Sequence, residues 1–131
     1  MPDIRLLFPK ICVLLDQSPA HSLAHLSRQF EVSPSAIQKI VSAMTNRDFT
    51  RFKDDILMAK FTKLVIARPG MSIKELSSRL GYKSTRSFAW QVRRACGASP
   101  ARVRIQIASE FATQNREARP EANRLGAASH A

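Results

Sequence analysis

Two stretches of this chain follow one plan, and that repetition constrains the fold more than any other feature. LSRQFEVSPSAIQKIV (26–41) and LSSRLGYKSTRSFAWQV (76–92) each read as a short helix, a tight turn and a longer helix, and they lie about 50 residues apart. Apolar residues recur at helical spacing through nearly the whole chain, whereas strict alternation and runs rich in Val, Ile and Thr are scarce, so the expected class is all-α. A chain of 131 residues has material for one modest core, or for two small ones side by side.

Local signals place the elements. A first helix over about 4–16 presents Ile4, Leu7, Phe8, Ile11, Leu14 and Leu15 on one side, with Pro9 as a kink or a late start. A second, over about 21–30, carries Leu23, Leu26 and Phe30. Ser33 then suits an N-cap and Pro34 the first position of a third helix, over about 34–45. Two short helices across a tight turn have the outline of a helix-turn-helix. The helix expected over about 49–67, with Phe52, Ile56, Phe61, Leu64 and Val65 apolar, stops at Arg68-Pro69-Gly70. At ~1.5 Å per residue it spans about 28 Å, enough for a strut between two units.

Past that break the plan returns. Ser72 with Glu75 three residues on is a capping-box signature, and Ile73, Leu76 and Leu80 line the short helix it opens. Gly81 suits a helix C-cap, and a further helix runs from about Ser84 to Cys96 before Gly97. From about 108 the chain is rich in Ala, Arg, Glu and Asn, with almost no large apolar residue after Phe111, which predicts a disordered tail. The expected division is a first subdomain over 1–48, a linker helix over 49–67, a second subdomain over 68–107 and a tail over 108–131.

The charge is uneven. The formal net charge is +11, and residues 51–104 hold thirteen basic and three acidic residues, against five and four in 1–50 and three and three in 105–131. A local basic surface facing an anionic partner, such as nucleic acid or an acidic membrane, fits this better than a diffuse solubility device, and charge alone does not choose between the two. No stretch approaches the roughly 20 apolar residues that span a bilayer, so no membrane partner is expected. Cys12 and Cys96 lack CxxC spacing and read as small buried apolar residues. Neither a disulfide framework nor a zinc site is indicated, which places the chain in a reducing, cytoplasmic setting.

Projected on a helix with Arg86 at zero, Lys83 falls at about 60°, Trp90 at about 40° and Arg93 at about −20°, while Phe88, Val92 and Ala95 lie at about 180–240°. The lone tryptophan thus belongs to a basic face opposite the core face, with Arg94 beside it. Such a face suits the major groove of duplex DNA, where Arg pairs with guanine and Lys or Arg meets phosphate. A solvated basic face with Trp90 covering a neighbouring helix would give the same pattern. In the first copy, Ile37, Ile40, Val41 and Met44 form the apolar side and Ser35, Gln38, Lys39 and Ser42 the opposite one. Gln can read adenine and Ser or Lys can meet phosphate, but a plain solvent face has the same composition.

Catalysis finds little support. His21 and His25, one turn apart, lack a third ligand and read as a solvated helix face. Asp54 and Asp55 sit among Lys53, Lys60 and Lys63, where surface ion pairs are expected. No glycine-rich phosphate loop or nucleophile elbow occurs, so neither an enzymatic activity nor a cofactor is expected.

The run SIKELSSRLGYKSTRSFAWQVRRACGASPARVR (72–104) resembles the C-terminal half of the AraC/XylS family DNA-binding domain. The matching positions are Ile73, Leu76-Ser77, Leu80-Gly81-Tyr82, Ser84, Phe88, Arg93-Arg94 and Gly97-Ala98-Ser99-Pro100. Leu26-Ser27, Val32-Ser33-Pro34, Ile37, Lys39 and Ile40 fit the first half in register, and Phe49, Phe52 and Leu64 fit its linker helix. The resemblance covers about residues 5–105. It implies about seven helices, with two helix-turn-helix subdomains held by a long linker helix, and both recognition helices in successive major-groove turns of promoter DNA. It places base contacts on Ser35, Gln38 and Lys39 in one unit and on Arg86, Ser87 and Trp90 in the other. Departures are Ser27 and Ser77 where Ala is usual, Trp90 where a polar residue is common, Val92, Cys96 and Val103 where aromatics often pack, and no Gly before the linker helix.

The expected function is therefore sequence-specific binding of double-stranded promoter DNA by a stand-alone, monomeric AraC-like transcription regulator, with RNA polymerase as a further candidate partner. The expected DNA-binding set is Ser35, Gln38, Lys39, Ser42, Lys83, Arg86, Ser87, Trp90, Arg93 and Arg94, without metal. The alternatives are a protein-interaction module that presents Trp90 to another regulator, and an RNA-binding helical protein, the latter short of aromatic stacking platforms.

Overall fold

The computed structural model describes the backbone of residues 3–130 and the side chains of residues 3 and 5–116. Seven helices follow one another: α1 (Ile4–Gln17), α2 (Leu23–Phe30), α3 (Pro34–Thr45), α4 (Phe49–Ala67), α5 (Ile73–Arg79), α6 (Thr85–Cys96) and α7 (Pro100–His130). No strand occurs among the described residues.

Six of the seven start on a side chain that accepts from an orphan backbone N–H: Asp3, Ser22, Ser33, Asp48, Ser72 and Ser84. At α7, Ser99 Oγ accepts from Arg102 N at 3.3 Å, with Pro100 opening the helix. Each such cap contributes about 1 kcal/mol and makes the boundary a local property of the chain. α1 continues through Pro9, which lies exposed within it.

Two cores form. Leu7, Ile11 and Leu15 of α1, Leu26 of α2, and Ile37, Ile40 and Val41 of α3 close over Phe49 at the start of α4. Leu57, Phe61 and Val65 from the rest of α4 join Met71, Leu76, Leu80, Phe88, Val92 and Val103 in the second. The strut expected between the units is thus also a wall of each, apolar on one side near its start and on another further along. Met44, expected on the apolar side of α3, instead lies 48% exposed in the helix's last turn, past the part of α3 that the core covers. Cys96 is likewise exposed rather than buried, because it ends α6, and its thiol donates to Val92 O at 3.1 Å. Cys12 is half-buried, and burial pushes its thiol pKa up. The segment after Ile107, for which composition predicts disorder, continues α7 to His130, and Ile107 is the last described side chain packed on the second core.

Ser27 and Ser77, the departures in the two short helices, have the same role in both copies. Ser27 Oγ donates to Val32 O and Ser77 Oγ to Ser84 O at 3.2 Å, each tying its short helix to the turn that follows. The hydroxyl of Ser77, on a residue only 2% exposed, is therefore satisfied where alanine would simply pack.

The units also meet directly. Gly81 follows the end of α5 at φ +89°, and a Cβ there would lie 1.9 Å from Ser18 Oγ and 2.7 Å from Ser18 Cβ, at the end of α1. Ser18 Oγ donates to Leu80 O at 3.4 Å, and Lys60 of α4 pairs with Asp16 at 3.7 Å. Gly81→Ala is expected to destabilise the protein by about 1–2 kcal/mol from the left-handed backbone alone. A chemical denaturation curve reads the loss, and an unchanged midpoint would show that the turn opens freely from Ser18.

Candidate nucleic-acid interface

α6 is held from behind. Asp54 of α4, its side chain 13% exposed, accepts from Arg94 Nη2 at 2.7 Å and from Gln91 Nε2 at 3.2 Å, and Gln91 Oε1 accepts from the Tyr82 hydroxyl. Burial, with the Asp54 carboxylate adding to it, drives the Tyr82 phenol far above its ordinary pKa, so it remains a donor. Phe88 stacks on Phe61 at 5.2 Å between centroids and meets Tyr82 at 5.4 Å. The linker helix therefore sets the rotation of α6 about its own axis through both an apolar and a polar contact.

That rotation leaves Trp90 62% exposed, on the side away from Phe88 and Val92, with Arg86 and Arg93 exposed beside it. The Arg94 guanidinium lies 5.0 Å from the centre of the Trp90 ring while paired to Asp54. A cation-π contact of this kind contributes about 0.5–1 kcal/mol at a wet site and orients the indole. Arg94 is thus engaged on two sides within the protein. The hydroxyl of Ser87 accepts from Ser84 Oγ at 2.9 Å, as part of the cap that starts α6.

Lys83 corrects the helical projection. It lies in the turn before the Ser84 cap, outside α6, because the cap delays the helix by two residues. It nonetheless lines the same groove as Arg86, Ser87, Trp90, Arg93 and Arg94. Ser35, Gln38, Lys39 and Ser42 are all exposed on α3 and stand outside that groove.

The aspartate pair also differs from the expected lysine partners. Asp55 meets Arg47 at 2.6 Å and Asp54 meets Arg94. Arginine's planar fork reaches across to another element, whereas the lysines lie on α4 itself.

The groove was not legible in the sequence because its other wall comes from the first unit. His21, Ser22, His25 and Arg28, at and along α2, and Lys53 of α4 face α6 across it. The two imidazoles, expected on a solvated face, are half-buried and stack in parallel at 4.5 Å. No group of three metal-ligating side chains occurs among the described residues. No described helix is long and apolar enough to cross a membrane.

Two capped helix-turn-helix units on a common helix, with a basic face on the second helix of the latter unit, define an all-α helix-turn-helix protein. A family profile described as a helix-turn-helix domain matches residues 26–106, and the chain belongs to this AraC-type helix-turn-helix family of DNA-binding transcription regulators. Solved structures share the fold. The C-terminal domain of AraT, a response regulator from Geobacillus stearothermophilus, is 22% identical over 81% of this chain and 86% of its own, with a TM-score of 0.62. A DNA-binding transcriptional dual regulator from Escherichia coli K-12 is 22% identical over 83% and 96%, with a TM-score of 0.54. The DNA-binding domain of AdpA, a global transcriptional factor solved in complex with a target DNA, is 15% identical over 84% and 96%, with a TM-score of 0.60. No curated protein matches the sequence.

Proposed function

We propose that this chain regulates transcription by binding duplex DNA sequence-specifically, with α3 and α6 in successive major grooves. The observation that carries the reading is the exposed face of α6, where Arg86, Trp90 and Arg93 stand free of the core while Asp54 and Phe88 fix the helix behind them. A fixed helix is what base readout needs, because bidentate Arg contacts to guanine depend on angle as well as reach. On this reading Arg86, Ser87 and Trp90 read bases in one groove and Ser35, Gln38 and Lys39 in the other. Ser42, Lys83 and Arg93 meet phosphate, and Arg94 steadies Trp90 from the α4 side. The structural neighbour solved in complex with a target DNA supports DNA as the ligand.

The test is selection of bound sequences from a random duplex pool, followed by binding of the winner across a salt series. One enriched site is expected, and its affinity should fall steeply with salt, because each neutralised phosphate releases counterions. No enrichment, or a flat salt response, would overturn the proposal. Capture of a partner protein without any duplex binding would favour the interaction-module reading of Trp90.

A further inference from the structure

The groove between α2 and α6 spans about 990 Å³, and among the described residues its lining includes no carboxylate. His25 and Arg28 face into it from α2, with His21 just before that helix. Lys53 enters from α4, with Asp54 next to it in the chain but turned to Arg94 and Gln91. Lys83, Arg86, Arg93 and Arg94 face it from the second unit, alongside the Tyr82 phenol. Side chains that repel one another have been brought together from three helices and two turns, and among the described residues Arg94 alone of them is paired with a carboxylate, that of Asp54. Such a concentration is costly in the free protein and favourable once an anion enters.

We infer that this seam is a phosphate-binding site, adjoining the base-reading face of α6, which seats a phosphodiester of the duplex backbone between the stretches met by α3 and α6 and protonates His21 as it does so. The inference rests on the duplex-binding reading and adds a site to it. The occupant is the duplex rather than a free phosphate because Arg86 and Trp90 are common to the seam and to the base-reading face of α6, so an anion in the seam is continuous with whatever that face touches.

The proton follows from the geometry. The His21 imidazole stacks 4.5 Å from that of His25 and shares the groove with Lys53 and the arginines of α6. Burial first, then His25 and Lys53, hold the His21 imidazole below its ordinary pKa. A phosphate entering the seam reverses the field and favours the imidazolium, so binding takes up protons and strengthens as pH falls.

The test compares binding of the selected duplex at about pH 8 and about pH 6 for the wild type and for His21→Gln/His25→Gln. The wild type is expected to gain about tenfold on acidification, and the variant to lose that gain. The His21 imidazole proton resonances of the wild type provide a readout that needs no substitution. They should move to their protonated positions on adding duplex at about pH 7 and stay in place on adding the same concentration of inorganic phosphate. An equal gain in wild type and variant, or resonances unmoved by duplex, would overturn the site. Resonances that move with inorganic phosphate as far as with duplex would assign the seam to a free phosphorylated ligand and overturn the backbone assignment. If the wild type bound no duplex at either pH, the duplex-binding reading itself would fail, a result distinct from all of these.

Discussion

Phe88→Ala is expected to destabilise the protein by about 3–5 kcal/mol, the range for emptying a fully enclosed phenylalanine site. Phe88 is fully buried, stacks on Phe61 of α4 and meets Tyr82 in the turn before α6, so no neighbour can swing in without leaving its own contact. The second core is small, with nine buried residues among those described, drawn from four helices and the turns on either side of α5, and a vacancy on this scale removes much of its stability. Urea denaturation monitored through Trp90, which sits on the same helix, reads the change directly. A loss below about 1 kcal/mol would mean that the core collapses around the gap, and that α6 is not held where Phe88 places it.

Arg86→Ala is expected to weaken binding of the selected duplex by about 1–3 kcal/mol, roughly 5- to 150-fold, and to relax specificity at one base pair. Lys39→Ala should cost less. Arg86 stands on a helix pinned by Asp54 and Phe88 and lies in a groove with Lys83 and Arg93, so its guanidinium acts within an already positive field. Lys39 is exposed on α3, in a half of the chain whose basic and acidic residues nearly balance. Gel-shift titrations of both variants on matched and single-mismatch duplexes separate the two. Equal losses would contradict the view that the second unit dominates.

Much of the fold was readable because its determinants are local. Ser33, Ser72 and Ser84 each start a helix with a hydroxyl that accepts from the backbone N–H three residues on, and the sequence spacing shows this for Ser33 and Ser72. Gly97 ends α6 at φ +80°, as its position suggests, but Glu31 and Asn46 end α2 and α3 in the same left-handed conformation at φ 55° and 59° without a glycine to signal it. Facing was also readable within a helix, since the 3.6-residue period separates Phe88 and Val92 from Trp90 wherever the helix docks. The same period misled at both ends of the helices. Lys83 was projected onto a turn of α6 that the Ser84 cap prevents, and Met44 and Cys96 follow the apolar spacing but sit where their helices run out from under the core.

By itself, then, the sequence determined six helices, forming two similar units and a connecting helix, with a basic face carrying Trp90, because caps, periodicity and charge act between residues a few positions apart; the seventh helix was implied only by the family resemblance. Only the tertiary structure decided what that face is coupled to. Asp54 and Arg94 are 40 residues apart, Ser18 and Leu80 are 62 apart, and His21 and Trp90 come from different units, yet each set lines or holds one groove. Contacts at that separation depend on how two cores share α4, and no local pattern in the chain encodes the angle at which they do so.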